Sequence, residues 1–515
     1  MAPGIRERLG FGGEKVEQPV PLDAIELPEP RLSPSDSLAA IVTDEHDERV
    51  SHAYGKAYRD IVRAFRGRID HPPDLVARPG DEEELAAVLD WCADVGAAAI
   101  PFGGGTSVVG GVEPRVGDGY AGTVSIDLRR LDRVLDVDAV SRAARIQAGA
   151  LGPALEDQLR PHGLTLRHFP QSFEFSTLGG WIATRSGGHF ATLYTHIDDL
   201  VESVRALTPS GPWESRRLPG SGAGPSPDRL LIGSEGVLGV ITEAWVRVQE
   251  RPRFKTSCGV AFDDFVAAAA AVREIAQSGL NPSNCRLLDA AESELTHAGP
   301  SGKALLVLGF ESAHHPVDEP MRVALEAARD HGGDPGEVSS KRSGAEGDAD
   351  PVGAWRSAFL AAPYLRDNFI ALGVLSDTFE TAVTWDRFED FHARVTDAAR
   401  EAVAEASGAP SSGEGAPRLS CRFTHVYPDG PAPYYTVLAP ARRGGEVEQW
   451  DEVKAAASEA VLAAGGTITH HHAVGRDHRP WYDRQRPDPF AQALRAAKQE
   501  IDPRGVLNPG VLIDP

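Results

Sequence analysis

A heptapeptide with almost no side chains, PFGGGTS at residues 101–107, sets the strongest condition on the fold. It follows the apolar run AAAI, which predicts a strand, so the glycines begin where that strand ends. Without a Cβ, backbone amides can point into a concavity and hold phosphate oxygens. The loop lacks the spacing of a Rossmann G-x-G-x-x-G turn and the lysine of a P-loop, which disfavours a nicotinamide site and a nucleoside triphosphatase. By itself it is equally consistent with a flexible turn.

Two later segments share its character. PQSFEFSTLGGWIATRSGG at residues 170–188 places glycines and hydroxyl groups among isolated aromatic residues, and IGSEGVLGVITEA at residues 232–244 leads into another strand. Three such segments indicate one long ligand that is contacted at several points, and FAD has that length. The alternative is three unrelated turns in a chain that contains 53 glycines.

Size and charge limit the class of protein. The 515 residues exceed what one hydrophobic core usually serves, so we expect two or three domains. The formal net charge of −23 disfavours a nucleic-acid partner or an anionic membrane, because both attract basic surfaces. The four cysteines are far apart and predict buried thiols in a reducing compartment. No secretory leader and no apolar run of about 18 residues are visible, so we expect a cytoplasmic location.

Local patterns predict a mixed α and β chain. Residues 71–102 indicate a strand, a helix and a strand, and residues 151–163 a helix that ends at Gly163. The helix between the two strands should bury Leu85, Val88, Leu89 and Cys92. After residue 250 the pattern predicts helices at 265–276 and 317–333, a strand at 303–312, a mobile loop at 336–350 and a C-terminal helix within 488–513.

We therefore expect four parts along the chain. They are an extended and helical arm at 1–70, an FAD-binding domain at 71–250, a substrate domain at 251–465, and a C-terminal segment at 466–515 that returns to the first domain.

Together the three glycine-rich segments and the terminal DPRGVLNPG resemble the FAD-binding flavoproteins of the vanillyl-alcohol oxidase and para-cresol methylhydroxylase type. Within that superfamily the chain is similar to the alkyldihydroxyacetonephosphate synthases, over about residues 70–515. RLLD, YLRDNFIALGVLSDTFETAVTWDR and ITHHHAVG belong to the same resemblance. It implies an α+β fold, with an FAD-binding domain of two subdomains and an α+β cap domain.

The resemblance also assigns residues to the cofactor. The glycine loop would hold the pyrophosphate, two segments would line the flavin, and a further strand would contact FAD. These residues are Pro101, Phe102, Gly103, Gly104, Gly105, Thr106 and Ser107; Pro170, Gln171, Ser172, Phe173, Glu174, Phe175 and Ser176; Thr184, Arg185, Ser186 and Gly187; and Glu235, Gly236, Val237, Leu238, Gly239, Val240 and Ile241. No histidine or cysteine stands in the loop, so we expect FAD to be bound non-covalently.

Three histidines in a row, His470, His471 and His472, follow the apparent strand entry AAGGTI. On a strand the first and third would share one side and the second would face the other. A bare tract of this kind is consistent with a metal site or a solvated cluster. The resemblance favours a third interpretation, acid and base groups at the flavin, because imidazole exchanges protons near neutral pH.

Two segments argue against a metal-dependent hydroxy-acid dehydrogenase. Such relatives carry HxGDGNxH and EHGIG, which together supply metal ligands. This chain has THVYPDGPAPYY, which keeps His425, Asp429 and Gly430 but places Tyr434 and Tyr435 where the second histidine would fall. The other segment reads HHAVG, with His471 in place of the ligand glutamate. We therefore expect no metal.

Catalytic and substrate-binding residues also come from the resemblance. Tyr434 aligns with a catalytic tyrosine, although the spacing leaves Tyr435 and Tyr427 open; from the sequence alone each is an ordinary strand tyrosine. Arg366 matches an arginine that binds substrate phosphate, and Arg286 another active-site arginine; without the resemblance both would be taken as surface arginines.

The implied reaction exchanges the acyl chain of acyl-dihydroxyacetone phosphate for a fatty alcohol without net redox change. The alternatives are an FAD-linked oxidase or dehydrogenase of a hydroxy acid or alcohol, and a catalytically silent flavin-binding protein. We expect no nucleic-acid partner and at most peripheral membrane contact, and a homodimer stays open.

Overall fold

The computed structural model describes residues 6–7, 9–13, 15–194, 196–342 and 366–514. The chain divides into two compact units. We call residues 19–186, 196–249 and 471–515 the two-sheet unit, and residues 1–18, 187–195 and 250–470 the single-sheet unit.

The two-sheet unit is built from short elements. Its α-helices are His46–Ser51, Tyr58–Phe65, Glu82–Val95, Gly152–Leu159, Leu178–Thr184, Ile197–Leu200, Asp228–Leu231, Arg479–Gln485 and Asp488–Ile501, and its 3-10 helices are Leu22–Ala24, Asp36–Leu38 and Arg160–His162. Its strands are Val42–Thr43, Leu75–Ala77, Ala97–Phe102, Gly122–Asp127, Val134–Asp138, Ala143–Gln147, Leu164–Thr165, Val201–Thr208, Gly211–Glu214 and Val240–Arg247, and Gln249–Glu250 spans the boundary between the units.

A four-stranded sheet carries the glycine loop. Strands Leu75–Ala77 and Ala97–Phe102 run parallel to Gly122–Asp127, which lies between them. The connecting helix Glu82–Val95 begins at the N-cap Asp81, and it buries the predicted Leu85, Val88, Leu89 and Cys92. Nearly every residue of these strands is buried, as expected for parallel strands that are covered on both faces.

The second sheet of this unit is antiparallel. Its strand order is Val134–Asp138, Ala143–Gln147, Val240–Arg247, Val201–Thr208 and Gly211–Glu214. The C-terminal segment completes the unit, because the N–H of Ala99 donates to the carbonyl of Val506 at 2.8 Å and the N–H of Asn508 donates to the carbonyl of Ala99 at 2.9 Å. Leu494, Val511 and Ile513 belong to its main hydrophobic core.

The single-sheet unit contains one eight-stranded antiparallel sheet. Seven strands follow the order Asp334–Pro335, Phe254–Phe262, Ala304–Ser312, Asn284–Leu288, Arg418–Val426, Pro431–Pro440 and Val374–Glu380, and Ser339–Arg342 also pairs with Phe254–Phe262. Its helices are Ala191–Tyr194, Phe265–Gln277, Ala290–Thr296, Asp318–Asp330, Arg366–Ala371, Phe388–Ser407 and Glu446–Ala463, with a 3-10 turn at Trp385–Arg387.

Most local expectations hold, including the helix that ends at Gly163 and the helices and strand expected after residue 250. The mobile loop expected at 336–350 is partly wrong: Ser339–Arg342 is a paired strand, and residues 343–350 lie outside the described residues. Within the described part of the chain, no helix is both long and apolar enough to cross a membrane.

Candidate active site

The three glycine-rich segments meet within the two-sheet unit. A Cβ on Gly103 would overlap the side chain of Thr177, and one on Gly104 would overlap the carbonyl of Phe175. Gly236 has a φ of +79°, and a Cβ there would come within 2.9 Å of the Pro101 ring. The main reason for glycine at these positions is therefore packing, because the segments approach one another so closely that no side chain fits.

The loop also offers free backbone donors. The N–H groups of residues 103–106 donate to no backbone or side-chain acceptor in the described part of the chain. Consecutive amides without a protein acceptor form a cradle for an anion, since unpaired backbone groups at such a site need a ligand or water. This arrangement fits a pyrophosphate.

The second segment, residues 170–176, is held by its own hydrogen bonds. The N–H of Phe175 donates to the carbonyl of Ser172 at 2.9 Å, and the hydroxyl of Ser176 donates to the same oxygen at 2.9 Å. The indole N–H of Trp181 donates to the Ser176 hydroxyl at 2.7 Å. The side chains of Glu174 and Phe175 in this turn are exposed to solvent.

His168 is a buried histidine that contacts the predicted cofactor segments. Its Nε2 lies 2.9 Å from the Ser186 hydroxyl, and its ring packs 5.1 Å from that of Trp181. Burial lowers the pKa of His168 to about 3, so the imidazole is neutral. A histidine beside the predicted segment was the available signal, but nothing in the sequence identified Ser186 as its partner.

Glu235 has a role that the sequence did not indicate. Its carboxylate accepts the backbone N–H of Val474 at 2.9 Å and of Gly475 at 2.8 Å, and its own N–H donates to the carbonyl of Ala183. The side chain of Asn508 donates to the carbonyl of Glu235 at 2.7 Å. Burial raises the pKa of Glu235 to about 7, and the two amides oppose that rise.

The remaining predicted cofactor residues occupy less regular positions. Thr184 ends a helix, Arg185 caps it in the left-handed region and pairs with Asp198 at 2.6 Å, and Gly187 falls in the other unit. Val240 and Ile241 begin the strand Val240–Arg247.

In the single-sheet unit, one face of the sheet carries charged and titratable side chains; we call it the polar face. Glu380 pairs across the strands with Tyr434, and Tyr434 with Arg422. Opposite residues in an antiparallel pair share a face, and so do alternate residues of one strand. Leu288 lies opposite Arg422, so Arg286, two residues before Leu288, is on the same face. His425 lies opposite Ala432, two residues before Tyr434, so it is on this face as well. All five side chains are buried.

The polar face separates the tyrosine candidates. The hydroxyl of Tyr434 donates to Thr378 at 2.9 Å, and the Arg422 guanidinium lies 4.0 Å from its ring centre. Tyr435 points to the opposite face, where its hydroxyl meets His392 at 3.1 Å and its ring stacks on Phe379. Tyr434 therefore has the surroundings of a functional group, and Tyr435 those of a core residue.

Two buried guanidiniums lie on this face. Arg422 pairs with Glu292 at 2.5 Å. Arg286, only 2% exposed, donates to the carbonyl of His189 at 3.2 Å. Burial, with the charge of Arg422, lowers the pKa of Arg286 to about 9, so an anion near it would be favoured.

Arg366 begins the helix Arg366–Ala371 in the same unit. Burial raises the pKa of Tyr434, and the positive charges of Arg422 and Arg366 oppose that rise. The expected phosphate-binding arginine is therefore close enough to act on the phenol electrostatically.

The strand-like alternation expected for the three histidines is wrong. Residues 470–472 have no regular secondary structure, and the rings of His471 and His472 contact each other at 4.7 Å. His470 ends the single-sheet unit, where its Nε2 lies 2.8 Å from the Tyr427 hydroxyl. The carboxylates of Glu380 and Glu235, both distant in sequence, hold the main chain at the start of the histidine run and just after it. The alternation of residues along a strand cannot predict such contacts.

Two family models match the chain. The model for FAD linked oxidases, C-terminal domain, matches residues 251–512, and the model for an FAD binding domain matches residues 73–215. These matches confirm the predicted α+β flavoprotein fold and FAD as the cofactor.

Curated relatives and solved structures agree. Alkyldihydroxyacetonephosphate synthase from Dictyostelium discoideum is 31% identical over 497 residues, which cover 91% of this chain and 78% of the relative. The synthase from Trypanosoma brucei brucei is 31% identical over 486 residues, covering 90% and 77%. A solved alkyldihydroxyacetonephosphate synthase has a TM-score of 0.78 at 27% identity, covering 98% of this chain and 91% of that one. Substrate-bound p-cresol methylhydroxylase, at 14% identity and a TM-score of 0.69 over 92% and 94% of the chains, shares the fold.

Proposed function

Because the chain belongs to the alkyldihydroxyacetonephosphate synthase family of FAD-linked enzymes, we propose that it exchanges the acyl chain of acyl-dihydroxyacetone phosphate for a fatty alcohol. The observation that carries this proposal is the polar face, where the buried Arg422 lies over the ring of Tyr434. The phenol and histidine pair of Tyr427 and His470 belongs to the same unit. Such a face suits an anionic substrate whose reaction needs proton transfer.

FAD would be held by the two-sheet unit. The unpaired amides of residues 103–106 are suited to its pyrophosphate, and the segments 170–176, 184–187 and 235–241 would contact the rest of the cofactor. Bound FAD supplies a ring system that can activate a substrate carbon reversibly, so that the overall exchange needs no net oxidation. In this proposal, residues 71–250 together with 466–515 form the FAD-binding domain, and residues 251–465 form the cap domain.

The arginines would bind the substrate phosphate. A guanidinium forms two parallel hydrogen bonds with phosphate oxygens, which an ammonium cannot reproduce. We assign Arg366 to this contact and Arg286 to a supporting one, since the lowered pKa of Arg286 reflects burial that a nearby anion would offset.

Tyr434 would move the proton at the reacting carbon. Its hydroxyl is held by Thr378, and the positive charge of Arg422 over its ring stabilises a phenolate. His470, His471 and His472 would exchange the remaining protons, including that of the alcohol. The acyl chain leaves as a carboxylate, and the alcohol oxygen takes its place on the carbon.

We place this enzyme in the cytoplasm, with its two substrates as partners. The test is to mix the purified holoenzyme with acyl-dihydroxyacetone phosphate and a fatty alcohol without oxygen. Equal amounts of alkyl-dihydroxyacetone phosphate and free fatty acid are expected. Oxidation of a hydroxy acid or alcohol with reduction of a dye, in place of this exchange, would instead support an FAD-linked dehydrogenase.

A further inference from the structure

Glu380 ends the strand Val374–Glu380 and holds the chain at the start of the histidine run. Its Oε1 and Oε2 accept the backbone N–H of His470 at 3.0 and 2.8 Å, and Oε1 accepts the hydroxyl of Thr469 at 2.6 Å. The glutamate is only 2% exposed. A single buried carboxylate thus fixes the main chain from which the imidazole of His470 projects.

The other end of that imidazole meets Tyr427. Nε2 of His470 lies 2.8 Å from the phenolic oxygen, and Nδ1 lies 4.0 Å from Oε2 of Glu380. A proton on Nδ1 would face the carboxylate, and in that tautomer the neutral ring presents the Nε2 lone pair, to which Tyr427 donates.

The main chain of Tyr427 is fixed as well. Its N–H donates to the carbonyl of Gly430 at 2.9 Å, and its carbonyl accepts the indole N–H of Trp385 at 3.0 Å. Both partners of the phenol and imidazole pair are therefore held before any substrate binds, which is what efficient proton transfer needs.

We propose that Glu380 is a positioning residue that makes Tyr427 and His470 the pair that takes the proton of the incoming fatty alcohol. This inference rests on the proposed function. The alcohol proton passes to the oxygen of Tyr427 while the phenolic proton passes to Nε2 of His470, which leaves an imidazolium whose Nδ1–H faces Glu380.

The exchange then balances. The alcohol oxygen forms the new bond to carbon, the bond to the acyl oxygen breaks, and the acyl chain leaves as a carboxylate. One proton passes from the imidazolium to solvent, so one alcohol and one acyl-dihydroxyacetone phosphate give one ether product, one carboxylate and one proton.

Tyr434 has a separate task on the same face. It is the cross-strand partner of Glu380, but its hydroxyl bonds to Thr378. Of these two proton-transfer groups, only the Tyr427 and His470 pair is assigned to the alcohol.

The test compares two rates in flavin-matched holoenzymes without oxygen. One is alcohol-dependent formation of the ether product at saturating fatty alcohol, and the other is the single-turnover release of fatty acid with no alcohol present. In Glu380→Gln and in Tyr427→Phe, the ratio of the first rate to the second should fall by about a hundredfold, the lower end of the contribution of a positioned general base.

Asp377→Asn is the matched control, because it removes a carboxylate from the same strand on the opposite face, where Asp377 accepts the indole N–H of Trp450 at 2.9 Å. Its ratio should equal that of the wild type. A proportional loss of both rates in the Glu380 and Tyr427 variants, with an unchanged ratio, would overturn the inference. If Glu380→Gln does not accumulate, Tyr427→Phe decides. A wild-type enzyme that releases no fatty acid would instead refute the proposed function itself.

Discussion

The carboxylate of Glu235 accepts the backbone N–H of Gly475 at 2.8 Å, although 240 residues separate the two in sequence. Val474 donates to the same carboxylate at 2.9 Å. This contact fixes the chain directly after the histidine run in the two-sheet unit, and the burial that it requires raises the pKa of Glu235 to about 7.

Stability should therefore depend on pH through Glu235. Because its folded pKa lies above the unfolded value of about 4.3, the folded state binds the proton more tightly between these pH values. The free energy of unfolding should fall as pH rises from about 5 through 7, by at most about 1.4 kcal/mol per unit of pKa difference. Glu235→Gln cannot titrate, so the apparent Tm of this variant, relative to that of the wild type, should increase as pH rises over this range.

The exposed Glu500→Gln in the same unit serves as the control, and its Tm should follow the wild type at every pH. Parallel Tm curves for wild type and Glu235→Gln from pH 5 to pH 8 would show that this carboxyl does not titrate there.

Local structure was predictable, because strands, helices and the glycines that end helices are determined mainly by residues close in sequence. The helix Glu82–Val95 and its buried residues follow from the spacing of its apolar side chains. The irregular path at 470–475 was not, because Glu380 and Glu235 impose it from afar. The choice between Tyr434 and Tyr435 also required the register, since a shift of one residue exchanges the faces of a strand.

Gly104 should be intolerant of even the smallest side chain. In Gly104→Ala, the added Cβ would overlap the backbone carbonyl of Phe175, so the two segments must separate. We expect a clear loss of flavin per protein chain in the purified variant, together with a lower Tm. Gly117→Ala is the control, because nothing lies within 4 Å of its added Cβ. Full flavin content in Gly104→Ala would show that the close approach is not required.

FAD should leave the denatured chain intact. The loop at 101–107 contains no histidine, cysteine or tyrosine to form a covalent bond, so we expect the cofactor to be held by non-covalent contacts. After acid precipitation, yellow colour in the supernatant with the mass of free FAD is the expected result. Flavin that remains with the pellet would contradict non-covalent binding.

The two adjacent tyrosines should behave differently. Tyr434→Phe removes a hydroxyl on the polar face and should lower kcat by about a hundredfold or more. Tyr435→Phe removes a core hydrogen bond to His392, so it should cost about 1 kcal/mol of stability while kcat per folded enzyme stays near the wild type. Thermal melts and rates with matched flavin content measure both effects. A reversed pattern would assign the catalytic role to Tyr435.

Arg366 provides the most direct test of a phosphorylated substrate. Lysine cannot form the two parallel hydrogen bonds of a guanidinium, so Arg366→Lys should lower kcat/KM for acyl-dihydroxyacetone phosphate by roughly tenfold to a hundredfold, or about 1.5–3 kcal/mol. Most of this loss should appear in KM, because the contact is made in both the ground state and the transition state. A dephosphorylated analogue, which lacks the anion, should lose little. Its kcat/KM on wild-type and Arg366→Lys enzymes with equal flavin content is the matched comparison. Equal losses for both substrates would mean that Arg366 does not bind phosphate, and Arg286 would then be the next arginine on the polar face to test.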